Sequence, residues 1–176
     1  MKWGAVKQAR QQIARMEKKG ITSQAADLFK SQQARIRESG SSRAAKSTAM
    51  ENAARHFLES GMGTEKGIKA KFEATKSAQS KYVKEMIGDD PAKMAAYMDA
   101  EKNQRTSMAA RHYLDSDTIR YIADITTDRK GNKDTYKFYD ILSRVTVRVA
   151  THQQIEYSPD ALTDMILDYY ERLSND

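Results

Sequence analysis

Cysteine is absent from this chain of 176 residues, and proline occurs only twice. Without thiols the sequence excludes disulfide bonds, thiolate nucleophiles and cysteine-ligated zinc sites, which fits a reducing compartment. Apolar runs are also short, and none approaches the roughly 18 residues that a membrane-spanning helix needs. The N-terminal stretch is interrupted by Arg and Gln and lacks the apolar core of a signal peptide, so we expect neither export by that route nor insertion into a membrane.

Acidic residues are scarce in the first half of the chain. Residues 1–86 hold 18 Lys and Arg against 8 Asp and Glu, a net charge of +10, whereas residues 87–176 hold 12 against 16, a net charge of −4. This asymmetry favours a polyanionic partner such as nucleic acid, because each neutralised phosphate releases a condensed counterion. The alternative is a solvated helix surface whose lysines serve solubility.

Helix start and stop signals are clear in the first half. Gly20 ends a first helix, and Thr22 and Ser23 cap a second that ends near Gly40. The apolar stripe of the first helix consists of Trp3, Val6, Ala9, Ile13 and Met16.

Further along, Thr48 and Glu51 have the spacing of a capping box, which predicts another helix start. We expect Thr64 to cap one long helix over residues 65–87, with its weakly apolar middle in solvent. Asp90 before Pro91 predicts a break and a new helix.

In the second half, we predict helices after Pro91 and around residues 108–114, a short element at residues 118–125, and then a turn at residues 128–133. We predict a helix over residues 134–150 from its spacing, although residues 145–149 also alternate like a strand. A last helix is predicted from Ser158 and Pro159.

These patterns together predict an all-α, multi-helix fold with two regions. Residues 1–87 are expected to form extended basic N-terminal helices with little mutual burial. Residues 88–176 are expected to form a more compact acidic helical unit.

One internal similarity stands out, because residues 53–60 (AARHFLES) recur as residues 109–116 (AARHYLDS). The match suggests two equivalent helix ends, each closing on an aromatic–Leu pair that packs into the core. The alternative is coincidence between two alanine-rich helices.

Motifs for phosphate loops, dinucleotide binding or nucleophilic catalysis are absent, so we expect neither an enzyme nor a cofactor. His56, His112 and His152 have no accompanying ligand spacing and are interpreted as surface or helix-end residues rather than metal ligands. An acidic face of one helix is formed by Asp160, Asp164 and Asp168, and we interpret it as solvated.

The predicted nucleic-acid-binding residues are cations spread among Gln, Ser and Ala in the basic region. Phe29, Phe57 and Phe72 occupy core-like helical positions, so we expect phosphate contact without stacking or base readout. The predicted binding set is Lys18, Lys19, Arg35, Arg37, Arg43, Lys46, Arg55, Lys66, Lys69 and Lys71.

The order of parts over residues 5–72 resembles small basic proteins of tailed phages and related mobile elements, some labelled terminal proteins of protein-primed DNA replication. The resemblance lies in residues 13–23 (IARMEKKGITS), the HFLES segment at residues 56–60, and residues 63–69 (GTEKGIK). Residues 138–142 and 157–160 are similar to the closing segment of that set.

The resemblance implies a protein at the ends of a linear genome, in the host cytoplasm or the virion, with a DNA polymerase as partner. A Ser, Thr or Tyr hydroxyl then accepts the first nucleotide, but no motif marks which one, and Tyr157, Ser158 and Ser174 are merely available. The alternative is a structural or assembly protein of a virion that packs against partner subunits through amphipathic helices. Self-association is left open.

Overall fold

The computed structural model describes residues 4–151, and every regular element in that range is helical. The eight α-helices are α1 (Gly4–Lys18), α2 (Gln24–Glu38), α3 (Arg43–Glu59), α4 (Glu65–Glu73), α5 (Lys81–Ile87), α6 (Pro91–Tyr113), α7 (Ser116–Ile125) and α8 (Thr135–Thr151). Between residues 4 and 151 the β-pairing is a single isolated bridge between Thr127 and Lys133. The all-α prediction is therefore confirmed. Trp3 and the predicted helix from Ser158 lie outside the described residues.

Local capping explains where several helices start. The side chain of Ser23 accepts a hydrogen bond from Ala26 N, and that of Thr64 accepts one from Gly67 N at 3.0 Å. Asp90 Oδ1 accepts from Ala92 N at 2.9 Å and so caps α6, which begins at Pro91. These three predicted starts are confirmed, because a cap depends only on residues within one turn of the chain.

The predicted capping box of Thr48 and Glu51 is wrong. Both residues lie inside α3, which begins at Arg43 with Ser42 as its N-cap. The Ser42 hydroxyl accepts from Ala45 N at 3.2 Å, and no helix-breaking residue separates it from Thr48. An earlier cap followed by good helix formers therefore starts the helix about one and a half turns before the predicted position.

The single helix predicted over residues 65–87 is also wrong. After α4, Thr75 Oγ1 donates to Phe72 O at 2.9 Å, and a short 3-10 turn at Ser77–Gln79 precedes α5. This break buries Ala78 completely, whereas four of the seven residues 74–80 are exposed, so the predicted solvent-exposed middle is confirmed apart from Ala78. Conversely, the two helices predicted between Pro91 and Leu114 form one continuous helix, α6.

Among the described residues, contacts divide the chain into a first unit, residues 4–100, and a second unit, residues 101–151. The expectation of little mutual burial among the N-terminal helices is wrong. Helices α1, α2 and α3 share a core in which Phe29 and Phe57 stack with ring centroids 5.8 Å apart. The small side chains of buried alanines in α3, including Ala54, allow the three helices to pack closely around this core.

A second cluster of the first unit lies toward α4, α5 and the start of α6. Its centre is formed by Ile68 and Phe72 of α4, with Ile87 of α5 and Met94 of α6 packed in the same cluster. Tyr97 meets the Phe72 ring edge-on at 5.9 Å. The stripe of α1 serves both clusters, since Ile13 lies in the first and Met16 in the second.

The second unit has its own core, made by the end of α6 with α7 and α8. Helix α8 settles the ambiguity of residues 145–149. Val145 and Val149 are buried while Val147 is 61% exposed, whereas a strand would place all three side chains on one face. The helix interpretation is confirmed.

Candidate nucleic-acid interface

The short connection between α2 and α3 brings basic residues of two helices together. Ser39 Oγ donates to Ile36 O at 2.8 Å at the end of α2, and Ser42 then caps α3. This α2–α3 corner, defined as residues 35–46, carries the four cations Arg35, Arg37, Arg43 and Lys46 and the one carboxylate of Glu38.

One hydrogen bond ties the two sides of the α2–α3 corner together. Lys46 Nζ donates to Arg37 O at 3.1 Å, so the ammonium group lies at the C-terminal end of α2, where the helix dipole favours a cation. Arg37 and Arg43 are exposed, while Arg35 is half-buried and makes a further interaction. The corner therefore presents at least two guanidinium groups to solvent beside a lysine held in place.

Four of the other predicted binding residues are already engaged. Lys19 pairs with Glu65 at 2.8 Å, Arg55 with Glu51 at 2.6 Å, and Lys69 with Asp89 at 3.2 Å. Lys71 Nζ donates to the carbonyl oxygen of Ser60 at 2.9 Å. The three exposed ion pairs contribute little stability, but each one reduces the positive potential offered to a polyanion, whereas Lys71 keeps its full charge beside a neutral carbonyl.

The remaining two predicted residues, Lys18 and Lys66, are exposed on α1 and α4. Lys18 shares the solvent face of α1 with two exposed cations outside the predicted set, Lys7 and Arg15. This face lies opposite the buried stripe of Val6 and Ile13, so the helical period alone could have identified it.

Arg10 of α1 also lies outside the predicted set, and it has a structural role. With the amide of Gln33 oriented to satisfy both groups, its oxygen accepts from Arg10 Nε at 2.8 Å and from Nη2 at 3.0 Å. The bond links α1 to α2 and orients the Arg10 guanidinium toward Gln33.

The phenylalanine rings of the first unit are unavailable for stacking. Phe29, Phe57 and Phe72 are all buried in the two clusters described above, as their spacing predicted. Charge, rather than these rings, is what the α2–α3 corner offers to a ligand.

The histidines of residues 4–151 lie at the surface. His56 and His112 are exposed, and His112 stacks edge-on against the neighbouring Tyr113 ring at 4.7 Å. Within that range no three His, Asp or Glu residues are grouped so as to hold a metal ion. Nor is any of these helices both long and apolar enough to cross a bilayer.

Several other predicted features lie outside the described residues: His152, the acidic face formed by Asp160, Asp164 and Asp168, and the hydroxyls of Tyr157, Ser158 and Ser174. Comparisons of the chain with protein-family models, with curated proteins and with solved structures found no match.

Proposed function

We propose that this chain binds nucleic acid, DNA in the first instance, without sequence preference and through phosphate contacts at the α2–α3 corner. The observation that carries the proposal is the juxtaposition of Arg35, Arg37, Arg43 and Lys46 around one short connection, with Glu38 as the one carboxylate in the segment. Arginine forks match phosphate oxygens in geometry, and the lysine adds a positioned point charge.

Two features of the first unit support phosphate contact over base readout. Its phenylalanines are buried, and the α2–α3 corner is a helix–helix connection rather than an exposed recognition helix. Affinity then comes from counterion release, with a logarithmic salt slope near −0.9 per phosphate on duplex DNA.

The test is a salt titration of duplex binding by the wild type and by the variant Arg35→Ala, Arg37→Ala, Arg43→Ala, Lys46→Ala. We expect the variant to bind unrelated sequences more weakly by a similar factor. Its salt slope should be shallower by about 0.9 for each phosphate that the variant no longer neutralises.

The chain offers a control with the same change in charge. Replacing Lys19, Lys30, Arg55 and Lys69 with Ala also removes four cations, but each of these pairs with a carboxylate. We expect a smaller loss of affinity from this set, with circular dichroism verifying that both variants fold. Equal losses of affinity in the two variants would show that binding depends on the net charge of the chain rather than on the α2–α3 corner. Salt-insensitive binding, or no affinity at low ionic strength, would remove the proposal.

The finer role that we propose, on the resemblance to terminal proteins of tailed phages, is at the ends of linear DNA together with a DNA polymerase. Protein-primed synthesis predicts covalent transfer of a labelled nucleotide to a hydroxyl of this chain when the partner polymerase is present. Detection of the labelled residue by mass spectrometry would support this role, and unlabelled protein in an active reaction would contradict it.

The alternative role is a structural or assembly protein of a virion. It is favoured by Met108 and Val147, large apolar side chains of the second unit that are well exposed. By contrast, Val6, Ile13 and Met16 of α1 pack into this chain's own clusters rather than being available to another subunit. Concentration-dependent assembly in sedimentation experiments, abolished by Val147→Ser but not by the corner variant, would favour this alternative.

A further inference from the structure

Helix α5 carries an exposed aromatic ring that the packing of the first unit does not use. Val83 and Ile87 anchor the helix in the second cluster, while Tyr82 remains 72% exposed. Each of the other Phe and Tyr side chains between residues 4 and 100 is buried or half-buried. Tyr82 is therefore the Phe or Tyr ring in that range that is well placed to meet a ligand.

Charged residues of both signs lie near Tyr82. Lys81 beside it is 92% exposed and Lys76 is exposed before the helix, whereas Lys84 projects from the other flank of α5. Two carboxylates face these lysines: Glu85 lies 4.0 Å from Lys81, and Glu73 lies 3.6 Å from Lys84. Both pairs are long and solvent-exposed, so a phosphate can replace the carboxylates at little cost.

The partly exposed side chain of Met86 lies one turn after Tyr82 on the same side of α5. The pair forms a small apolar surface beside Lys81 and Glu85. An exposed ring with adjacent cations is the arrangement on which unpaired bases stack while their phosphates are neutralised. A duplex hides its base faces and cannot use the ring in this way.

We infer that Tyr82 is a stacking site for an unpaired nucleobase, with Lys81 contacting a flanking phosphate. The inference rests on the proposed nucleic-acid binding and extends it from duplex to single-stranded segments, such as an overhanging end.

The test compares binding of the full-length chain to an oligothymidylate and to a blunt duplex at the same low ionic strength. Tyr82→Ala should weaken oligothymidylate binding by about fivefold to 150-fold, the range found for loss of one stacked base. Duplex affinity should stay within about twofold, because no charge is removed. Tyr82→Phe should bind like the wild type, since stacking needs the ring and not the hydroxyl.

A matched control is Tyr113→Ala, which removes another exposed tyrosine from the second unit and should leave both affinities unchanged. A direct readout is the Trp3→Phe, Tyr82→Trp double variant, whose remaining tryptophan should be quenched by the oligothymidylate.

Unchanged oligothymidylate binding by Tyr82→Ala, or equal losses on both substrates, would overturn the inference while leaving duplex binding by the α2–α3 corner intact. A wild type that binds neither substrate would overturn the proposed function and the inference with it.

Discussion

Residues 53–60 and residues 109–116 are nearly the same octapeptide, yet the two segments bury different side chains. In the first, Phe57 is 2% exposed and stacks on Phe29, while in the second the equivalent Tyr113 is 41% exposed. Leu114 is buried instead, where Leu58 is only half-buried. The predicted equivalence of the two aromatic–Leu pairs is therefore wrong.

The difference arises from the neighbours of each helix. In α3, helices α1 and α2 cover the face that carries Ala53, Ala54 and Phe57. At the end of α6, the core formed with α7 and α8 covers Ala110 and Leu114, the residue that follows the last one of the helix. A short helical sequence offers several apolar faces, and its partners select one of them.

The largest expected effect separates the two aromatic positions. Phe57→Ala should lower the free energy of unfolding by about 3–5 kcal/mol, because it removes a ring stacked in the core and leaves a cavity. Tyr113→Ala at the equivalent position should change it by less than about 0.5 kcal/mol. Urea denaturation followed by circular dichroism measures both, and similar losses would show that the two segments are packed alike after all.

The conformation of the chain after each octapeptide also differs, and Gly67 provides a test of this difference. After the first copy, the chain folds back so that a methyl group built at Gly67 would lie 2.1 Å from the carbonyl oxygen of Gly61. Gly67→Ala should therefore cost about 1–3 kcal/mol through overpacking, although Ala is the better helix former. Gly40→Ala is the control, because its added methyl group meets no atom within 4 Å. A neutral Gly67→Ala variant in thermal unfolding would show that the loop relaxes freely.

The smallest expected effect concerns the acidic residue of each octapeptide. Asp115 caps α7 through Oδ1, which accepts from Thr118 N at 2.7 Å, whereas the equivalent Glu59 is exposed in the last turn of α3. Asp115→Ala should cost about 1 kcal/mol as a lost N-cap. Glu59→Ala should stay within about 0.5 kcal/mol, and a loss equal to that of Asp115→Ala would contradict the assignment of the cap.

The pH dependence of the free energy of unfolding tests whether the Asp115 carboxylate acts as the cap in its charged form. Hydrogen bonding from Thr118 lowers the pKa of Asp115 below its usual value. A lowered folded-state pKa adds stability that is present above about pH 4 and is lost as pH falls through the folded value. The stability of the wild type relative to Asp115→Asn should therefore fall on acidification below about pH 4, and a constant difference would contradict it.

Local features of the fold could be predicted from the sequence. Ser23, Thr64 and Asp90 act within one helical turn, so their capping roles depend on neighbouring residues alone. The predictions that failed involved two local signals that compete for the same helix. Ser42 caps α3 ahead of the candidate cap Thr48, and the turn at Thr75 ends α4 although the apolar spacing continues beyond it.

The candidate site likewise has features that neighbouring residues determine and features that depend on distant segments of the chain. The grouping of Arg35, Arg37, Arg43 and Lys46 arises from a short connection between two helices, and the sequence brings these residues close together by itself. The engagement of Lys19 by Glu65 and of Lys69 by Asp89 joins residues far apart in the chain, which no local pattern reveals.

The sequence by itself determined that this chain is helical, where most of its helices start, and that its first half is basic. These properties depend on backbone hydrogen bonds and side chains within about one turn, and on composition. Only the tertiary structure decided which face of each helix is buried, which cations are engaged, and that Tyr82 stays in solvent while Phe57 does not. Those outcomes depend on which distant segments meet, because the free energy of burying a side chain is set by the atoms that surround it.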